Sequence, residues 1–140
     1  MDNDKPSRMK TKMKAGLLMI IVTTALACNR IESNNLAGKG GTAVLSCIPK
    51  HHDIFKNIIN GKIFIAYNAS DIPERYDDSA SCLLIEGKPT ATFPGLKPGV
   101  YYLLGTGYDT SISQNVKGGL SYTINQETSL EITVPVTETH

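Results

Sequence analysis

Residues 93–102 read Phe93-Pro94-Gly95-Leu96-Lys97-Pro98-Gly99-Val100-Tyr101-Tyr102, and this stretch is the most specific local motif of the chain. Pro98 holds its own φ near −65° and Gly99 tolerates a positive φ, so a type II turn is expected over residues 97–100. Leu96 precedes the turn and is predicted to lie in the core beneath it. A tyrosine in the strand that follows can reach back and bond the backbone of the turn, an arrangement called a tyrosine corner.

The spacing of this stretch is similar to that found in two kinds of β-sandwich domain. Fibronectin type III domains have Leu-x-Pro-Gly-x-x-Tyr, which would select Tyr102, but they normally also carry a core tryptophan and this chain has none. The stretch resembles more closely the Phe-x-Gly-Leu-x-Pro-Gly-x-Tyr pattern of transthyretin-like (prealbumin-like, carboxypeptidase regulatory-like) domains, which would select Tyr101. The resemblance covers residues 42–136 at the level of strand order, is specific over residues 91–102, and implies a Greek-key sandwich.

Short runs with strand chemistry fill the rest of this region. Residues 119–124 and 129–134 alternate apolar and polar side chains, which is typical of a sheet with one face in water. Other runs are rich in β-branched and aromatic residues. The predicted strands are 42–48, 62–67, 81–86, 90–93, 100–108, 119–124 and 129–134. They predict an all-β protein, a seven-stranded antiparallel β-sandwich over residues 42–136, followed by a polar tail at 137–140.

One segment departs from the strand pattern. Four apolar residues between positions 53 and 59 recur at helical spacing, so a short helix is predicted there. The helix would end at Asn60-Gly61, a pair that is equally typical of a turn.

The N-terminal segment resembles the signal of a bacterial lipoprotein. Five basic residues precede position 15, an uncharged run of 13 residues follows, and Cys28 comes directly after Ala25-Leu26-Ala27. In that family such a cysteine is diacylglycerated and becomes the first residue of the mature chain. The same residues would also suit an ordinary cleaved signal peptide, and a retained anchor is the third alternative, although a transmembrane helix needs about 20 apolar residues. We expect residues 1–27 to be a lipoprotein signal peptide and Cys28 to carry the lipid.

Removal of this signal changes the charge balance. Residues 28–140 number 113 and carry nine basic and eleven acidic side chains, so the net charge of +1 arises from the signal. No basic stripe remains for nucleic acid. Residues 28–41 are polar and glycine-rich, which predicts a flexible tether between the lipid and the domain. The predicted location is the cell envelope, at the periplasmic face of the outer membrane or at the cell surface.

Two cysteines remain once Cys28 is acylated. Cys47 and Cys82 form an even pair in an oxidising compartment, where a disulfide would close a loop of about 35 residues and stabilise the fold by about 4 kcal/mol. The alternative is two buried thiols that pack as small apolar side chains. The sequence leaves both alternatives open.

His51 and His52 follow the first predicted strand. With Cys47 nearby they would supply nitrogen and sulfur ligands to a soft divalent metal. Adjacent residues of an extended chain point to opposite faces, however, so two such histidines rarely reach one ion. The expectation is a solvent-exposed pair, with no metal and no other cofactor.

The sequence contains no recognisable catalytic motif. It has no Gly-x-Ser-x-Gly elbow, no His-Glu-x-x-His and no phosphate-binding loop, so we expect a protein that is not an enzyme. Tyr76, in the acidic loop after the second strand, is the candidate contact residue. The neighbouring Asp78-Ser79-Ala80 is similar to the O-glycan acceptor site in extracytoplasmic proteins of Bacteroidetes.

The predicted function is a lipid-anchored, non-catalytic binding or scaffolding module of the cell envelope. Its expected partner, besides the membrane, is a protein or a surface polymer. The alternative function is a small-molecule or metal carrier that uses His51, His52 and Cys47.

Overall fold

The computed structural model describes residues 36–139, which form strands and no helix. The all-β prediction is therefore confirmed. The strands are β1 (Lys39–His51), β2 (Ile58–Tyr67), β3 (Asp78–Ser81), β4 (Leu83–Ile85), β5 (Lys88–Leu96), β6 (Gly99–Asp109), β7 (Gln114–Ile124) and β8 (Ser129–Glu138). In this part of the chain no helix has the length and hydrophobicity to cross a membrane. Cys28 and the expected signal peptide lie outside the described residues.

The eight strands form one mixed sheet in the order β3-β2-β6-β7-β8-β1-β5-β4. β8 runs parallel to β1, with His51 opposite Val136, whereas the other pairings are antiparallel. The prediction of a seven-stranded antiparallel sandwich is therefore wrong: there are eight strands, they form one sheet rather than two packed sheets, and β8 is parallel to β1. A period of two indicates which side chains face the core, but it does not indicate which strand lies beside which.

Cys82 divides the predicted strand 81–86 into two. β3 pairs with β2, whereas β4 pairs with β5 at the other end of the sheet. Because β3 ends at Ser81 and β4 begins at Leu83, the chain passes from one edge strand to the other through Cys82 alone. The Cys82 N–H donates to the Gly61 carbonyl oxygen at 2.7 Å. The sheet is therefore strongly curled, and its two ends lie close together.

The curled sheet encloses one main apolar core. Its fully buried side chains come from β1, β2, β5, β6, β7 and β8, and include Leu45, Ile63, Phe93, Leu103, Ile124 and Val134. The alternating apolar residues of β7 and β8 also contribute partly buried side chains that pack against this core: Leu120, Tyr122, Leu130 and Ile132. Each fully buried side chain of this size contributes about 1.5–3 kcal/mol, which makes this core the main source of stability.

The folded region is longer than the predicted range 42–136. β1 begins at Lys39 and Ala37 is buried, so the last residues of the expected tether 28–41 belong to the fold. β8 continues to Glu138, within the expected tail 137–140. Backbone hydrogen bonds order these ends, and such bonds leave no apolar signal in the sequence.

The predicted helix over residues 53–59 is wrong. His51 and Ile54 exchange backbone hydrogen bonds of 3.0 and 2.9 Å across a tight turn, and β2 begins four residues after it. Asn60-Gly61 is not a turn between elements, because it lies in an irregular part of β2 where the register with β6 shifts. Pairing with β6 overrides the local helical spacing.

The connection between β5 and β6 is Lys97-Pro98, and it links strands that are not neighbours in the sheet. The φ of Gly99 is 151°, far from the about 80° of a type II turn, so that prediction is also wrong. A Cβ on Gly99 would lie 2.8 Å from the Cα of Ala37. Glycine is required at this position because the N-terminal end of the fold crosses directly over it.

Candidate functional site

Tyr101 fastens the N-terminal end of the fold. Its hydroxyl donates to the Lys97 carbonyl oxygen at 2.6 Å, and the Gly38 N–H donates to the hydroxyl at 2.9 Å. The side chain is completely buried, and burial raises the pKa of the hydroxyl. Tyr102 packs in a separate cluster, whereas Leu96 belongs to the same core as Tyr101. Tyr101 therefore makes the bond that a tyrosine corner requires.

Tyr76 is half-buried against the domain itself. Its ring centre lies 5.6 Å from that of Phe64, and it belongs to the cluster around Tyr102. The exposed apolar residue of this loop is Ile72, 72% exposed. The loop therefore exposes Ile72 to solvent rather than Tyr76.

Cys47 and Cys82 are free thiols, and the disulfide suggested by the sequence is not formed. Cys47 is completely buried, and Cys82 packs against the same core. Burial raises the pKa of Cys47 to about 12 and that of Cys82 to about 11. The thiolate is the form that is oxidised or that binds a metal, so we expect both thiols to react slowly near neutral pH. They follow the alternative of small apolar side chains.

β4 is the most apolar exposed element of the described chain. Leu83, Leu84 and Ile85 are 69%, 78% and 47% exposed, so none of its three side chains is buried. One edge of β4 pairs with β5, and the other edge ends the sheet. Its backbone groups on that side have no strand partner among residues 36–139. A free apolar edge of this kind is a template for pairing with another strand.

A cleft of about 180 Å³ lies beside this edge, with Leu84, Ile59 and Pro89 among its walls. Ile59 is itself 46% exposed. Pockets for small molecules usually measure about 300–1,000 Å³, so this cleft is of a size for one apolar side chain rather than for a cofactor. The free edge and the cleft together form a surface that we call the β4 surface.

A second cluster of functional side chains surrounds the turn after β1. His52 and Asp53 have φ of 45° and 62°, so both are left-handed residues of a two-residue turn. The turn brings the two imidazoles to the same side, with ring centres 4.2 Å apart. The expectation that His51 and His52 point to opposite faces is therefore wrong, because the chain is not extended at His52.

The expectation of a solvent-exposed pair is wrong for His51, which is buried, whereas His52 is exposed. Asp109, at the end of β6, is the hydrogen-bond partner of His51. The His51 Nδ1–H donates to the Asp109 carboxylate at 2.8 Å, and both side chains are almost inaccessible to solvent. This hydrogen bond raises the pKa of His51. The pKa of Asp109 is lowered, first by hydrogen bonds from Ser111 and then by His51.

The other ring nitrogen of His51 is buried without a hydrogen-bond partner. His51 Nε2 lies 3.4 Å from Glu138 Oε1, close enough for an ion pair but without hydrogen-bond geometry. His52 Nε2 lies 3.8 Å from the same oxygen. Cys47 is four residues back on β1, about 13 Å along the strand. It is not part of this cluster, so the predicted grouping of His51, His52 and Cys47 is wrong.

The sequence did not indicate that Asp109 and Glu138 belong to this cluster. Asp109 is 58 residues from His51 along the chain, and Glu138 lies in the expected polar tail. The one local signal is Asp109-Thr110-Ser111, where an aspartate bonds the backbone two residues on, a pattern typical of turns. That pattern predicts a turn but not a histidine partner.

Comparison of the chain with protein-family models, with curated proteins and with solved structures finds no match. The chemistry of the β4 surface and of the cluster at the turn after β1 therefore carries the functional interpretation.

Proposed function

We propose that this protein is a lipid-anchored, non-catalytic module of the cell envelope that binds an extended segment of another protein through the β4 surface. The observation that carries the proposal is the exposure of all three side chains of β4 at a free sheet edge. Apolar side chains scattered singly over a surface need no explanation, but three in succession on an edge strand mark an interaction site.

The chemistry of the β4 surface favours a protein strand over a polymer. A strand added to the edge would pair its backbone with the free N–H and C=O groups of β4. Its side chains alternate, so one apolar side chain would enter the cleft beside Leu84 while Leu83 and Ile85 cover its neighbours. A glycan offers hydroxyl groups, and such groups have few partners on Leu83, Leu84 and Ile85.

The location of the module forms part of the same proposal. A lipid on Cys28 would hold the domain at the membrane, and the residues before β1 would separate it from the head groups. The resemblance of residues 91–102 to transthyretin-like domains is consistent with a binding role, although a fold alone does not indicate a function.

Site-specific photo-crosslinking in intact cells tests this function. A photoreactive amino acid would replace Leu84, and matched proteins would carry it at Ile72, the exposed apolar residue of the acidic loop, and at Thr123 on β7. We expect one discrete protein adduct from position 84 and none from position 123. Addition of Leu84→Asp to a probe at Leu83 should abolish the adduct without unfolding the domain, because Leu84 is 78% exposed.

The other outcomes contradict the proposal. An adduct from position 72 but not from position 84 would place the binding surface on the loop. A diffuse adduct that a glycosidase removes would indicate a surface polymer. Equal labelling from positions 84 and 123 would show that the β4 surface has no specific partner.

A further inference from the structure

The cluster at the turn after β1 has a feature that protein structure rarely tolerates. Both carboxylates and both imidazoles of the cluster converge, yet the nearest polar atom to the buried His51 Nε2 is Glu138 Oε1 at 3.4 Å, an ion-pair contact without hydrogen-bond geometry. A buried nitrogen with so weak a partner destabilises the folded protein. Buried polar groups are normally satisfied by a partner, and a bound cation can supply one.

We propose that His51, His52 and Glu138 form a binding site for a divalent cation of the zinc class. The site stands on its own residues and does not depend on the β4 surface. One ligand atom from each of the three residues lies within 4.8 Å of the other two. Two of these separations, from Glu138 Oε1 to Nε2 of His51 and of His52, are 3.4 and 3.8 Å.

These separations fit a four-coordinate ion. Zinc binds histidine nitrogen and carboxylate oxygen at about 2.0–2.2 Å, and tetrahedral angles then place neighbouring ligand atoms roughly 3.3–3.5 Å apart. His51 Nε2 and Glu138 Oε1 already meet this spacing. The adjustment of up to about 1.5 Å from the observed separations falls on His52, whose side chain is 75% exposed and free to move.

Asp109 prepares His51 for this role. A histidine that binds a metal usually donates its other ring N–H to a carboxylate, which fixes the tautomer and directs the lone pair to the ion. His51 Nδ1 donates to Asp109 at 2.8 Å, and the Ser111 N–H donates to the other oxygen of Asp109 at 2.8 Å. The Nε2 lone pair of His51 is therefore directed towards His52 and Glu138.

The donor set selects the class of ion. Two imidazole nitrogens and one carboxylate oxygen suit zinc and the neighbouring transition metals, whereas calcium and magnesium prefer sites made of oxygen atoms. Three protein ligands leave a fourth position for water. The ion would join the turn after β1 to the end of β8, because His51 ends β1 and Glu138 ends β8. Binding therefore also stabilises the fold.

Calorimetric titration with zinc tests the site on the full, untagged chain in a non-chelating detergent. All proteins carry Cys28→Ser and His140→Ala, which remove two other groups that bind zinc. We expect one ion per chain with a Kd below about 10 μM and a rise of the thermal midpoint of roughly 10 °C at saturating zinc. His52→Ala and Glu138→Gln should each weaken binding by about 10-fold or more, whereas the matched variant Glu131→Gln should not change it.

Both ligand substitutions lie at accessible side chains, so circular dichroism will show whether the fold is kept. Cobalt supplies a second readout, because a four-coordinate site gives intense visible absorption and a six-coordinate surface site gives weak absorption. Intense absorption that Glu138→Gln removes supports the proposal. Zinc binding no tighter than about 10 μM, binding unchanged in both variants, or weak cobalt absorption would overturn it.

Discussion

The Tyr101 hydroxyl donates to the Lys97 carbonyl oxygen at 2.6 Å and so ties the start of β6 to the connection that precedes it. The Tyr101 hydroxyl oxygen also accepts a hydrogen bond from the Gly38 N–H at 2.9 Å, which extends the tie to the N-terminal end of the fold. One buried side chain thus satisfies two backbone groups that have no strand partner at that point. Loss of the Tyr101 hydroxyl should therefore destabilise both the start of β6 and the N-terminal end of the fold.

We expect Tyr101→Phe to lower the free energy of unfolding by about 1–3 kcal/mol, because it leaves the buried Gly38 N–H and the partly buried Lys97 carbonyl oxygen without this partner. Tyr102→Phe is the matched control, since the Tyr102 hydroxyl makes no hydrogen bond with residues 36–139. It should change stability by less than about 0.5 kcal/mol. Urea unfolding measures both values. A larger effect at Tyr102 would move the tyrosine corner to the fibronectin-like position.

The buried His51–Asp109 pair should be much more sensitive than an ion pair at the surface. Asp109→Ala removes the acceptor of the His51 Nδ1–H inside the protein, and breaking a buried pair in this way costs about 3–5 kcal/mol. Asp78→Ala breaks the exposed pair between Asp78 and Lys39, which should cost at most about 1 kcal/mol. Chemical unfolding in the presence of a chelator compares the two variants. Equal losses would contradict the burial of the pair.

The thiols offer a direct chemical test. In a Cys28→Ser background, the purified protein should show almost no reaction with a thiol reagent while folded, because the pKa values of Cys47 and Cys82 are about 12 and 11. After denaturation without a reductant, two thiols per chain should react. A count of zero in the denatured protein would show that the two cysteines form a disulfide after all.

Burial of Cys47 also predicts how stability changes with pH. The folded chain raises the pKa of this thiol from 9.0 to about 12, so it holds the proton more tightly than the unfolded chain does. The resulting stability is complete below pH 9 and is lost as the pH rises towards 12. Between these limits one thiol contributes a slope of up to about 1.4 kcal/mol per pH unit. Cys47→Ala should flatten the decline measured by urea unfolding at pH 9–11, whereas an unchanged slope would show that the thiol titrates normally.

Local patterns predicted much of the sheet because they report directly on burial. The alternation in β7 and β8 correctly indicated that Ile124 and Val134 face the core. The parallel pairing of β8 with β1 could not be predicted, because it depends on contacts between residues about 85 positions apart. The division of a strand at Cys82 follows from the curl of the whole sheet, which no local pattern records.

The candidate sites were less predictable than the sheet, for two different physical reasons. The turn at His52-Asp53 contains no glycine, although both residues are left-handed, so the usual signal of a two-residue turn is missing. His51, Asp109 and Glu138 come from the ends of β1, β6 and β8, and only the assembled sheet brings these ends together. The exposure of β4 could not be predicted either, because Leu83, Leu84 and Ile85 have the apolar composition of a buried core strand.

The lipid anchor is tested by Cys28→Ser. Acylation adds about 0.8 kcal/mol of membrane affinity for each buried CH₂ group, and two or more chains hold a protein stably at a bilayer. We expect the unmodified chain to incorporate labelled fatty acid and to sediment with membranes, and Cys28→Ser to do neither. Cys82→Ala removes one thiol from the folded domain and serves as the matched control, which should behave as the unmodified chain does. Unlabelled, soluble protein in every case would indicate an ordinary cleaved signal peptide, and a membrane-bound Cys28→Ser protein of uncleaved mass would indicate a retained anchor.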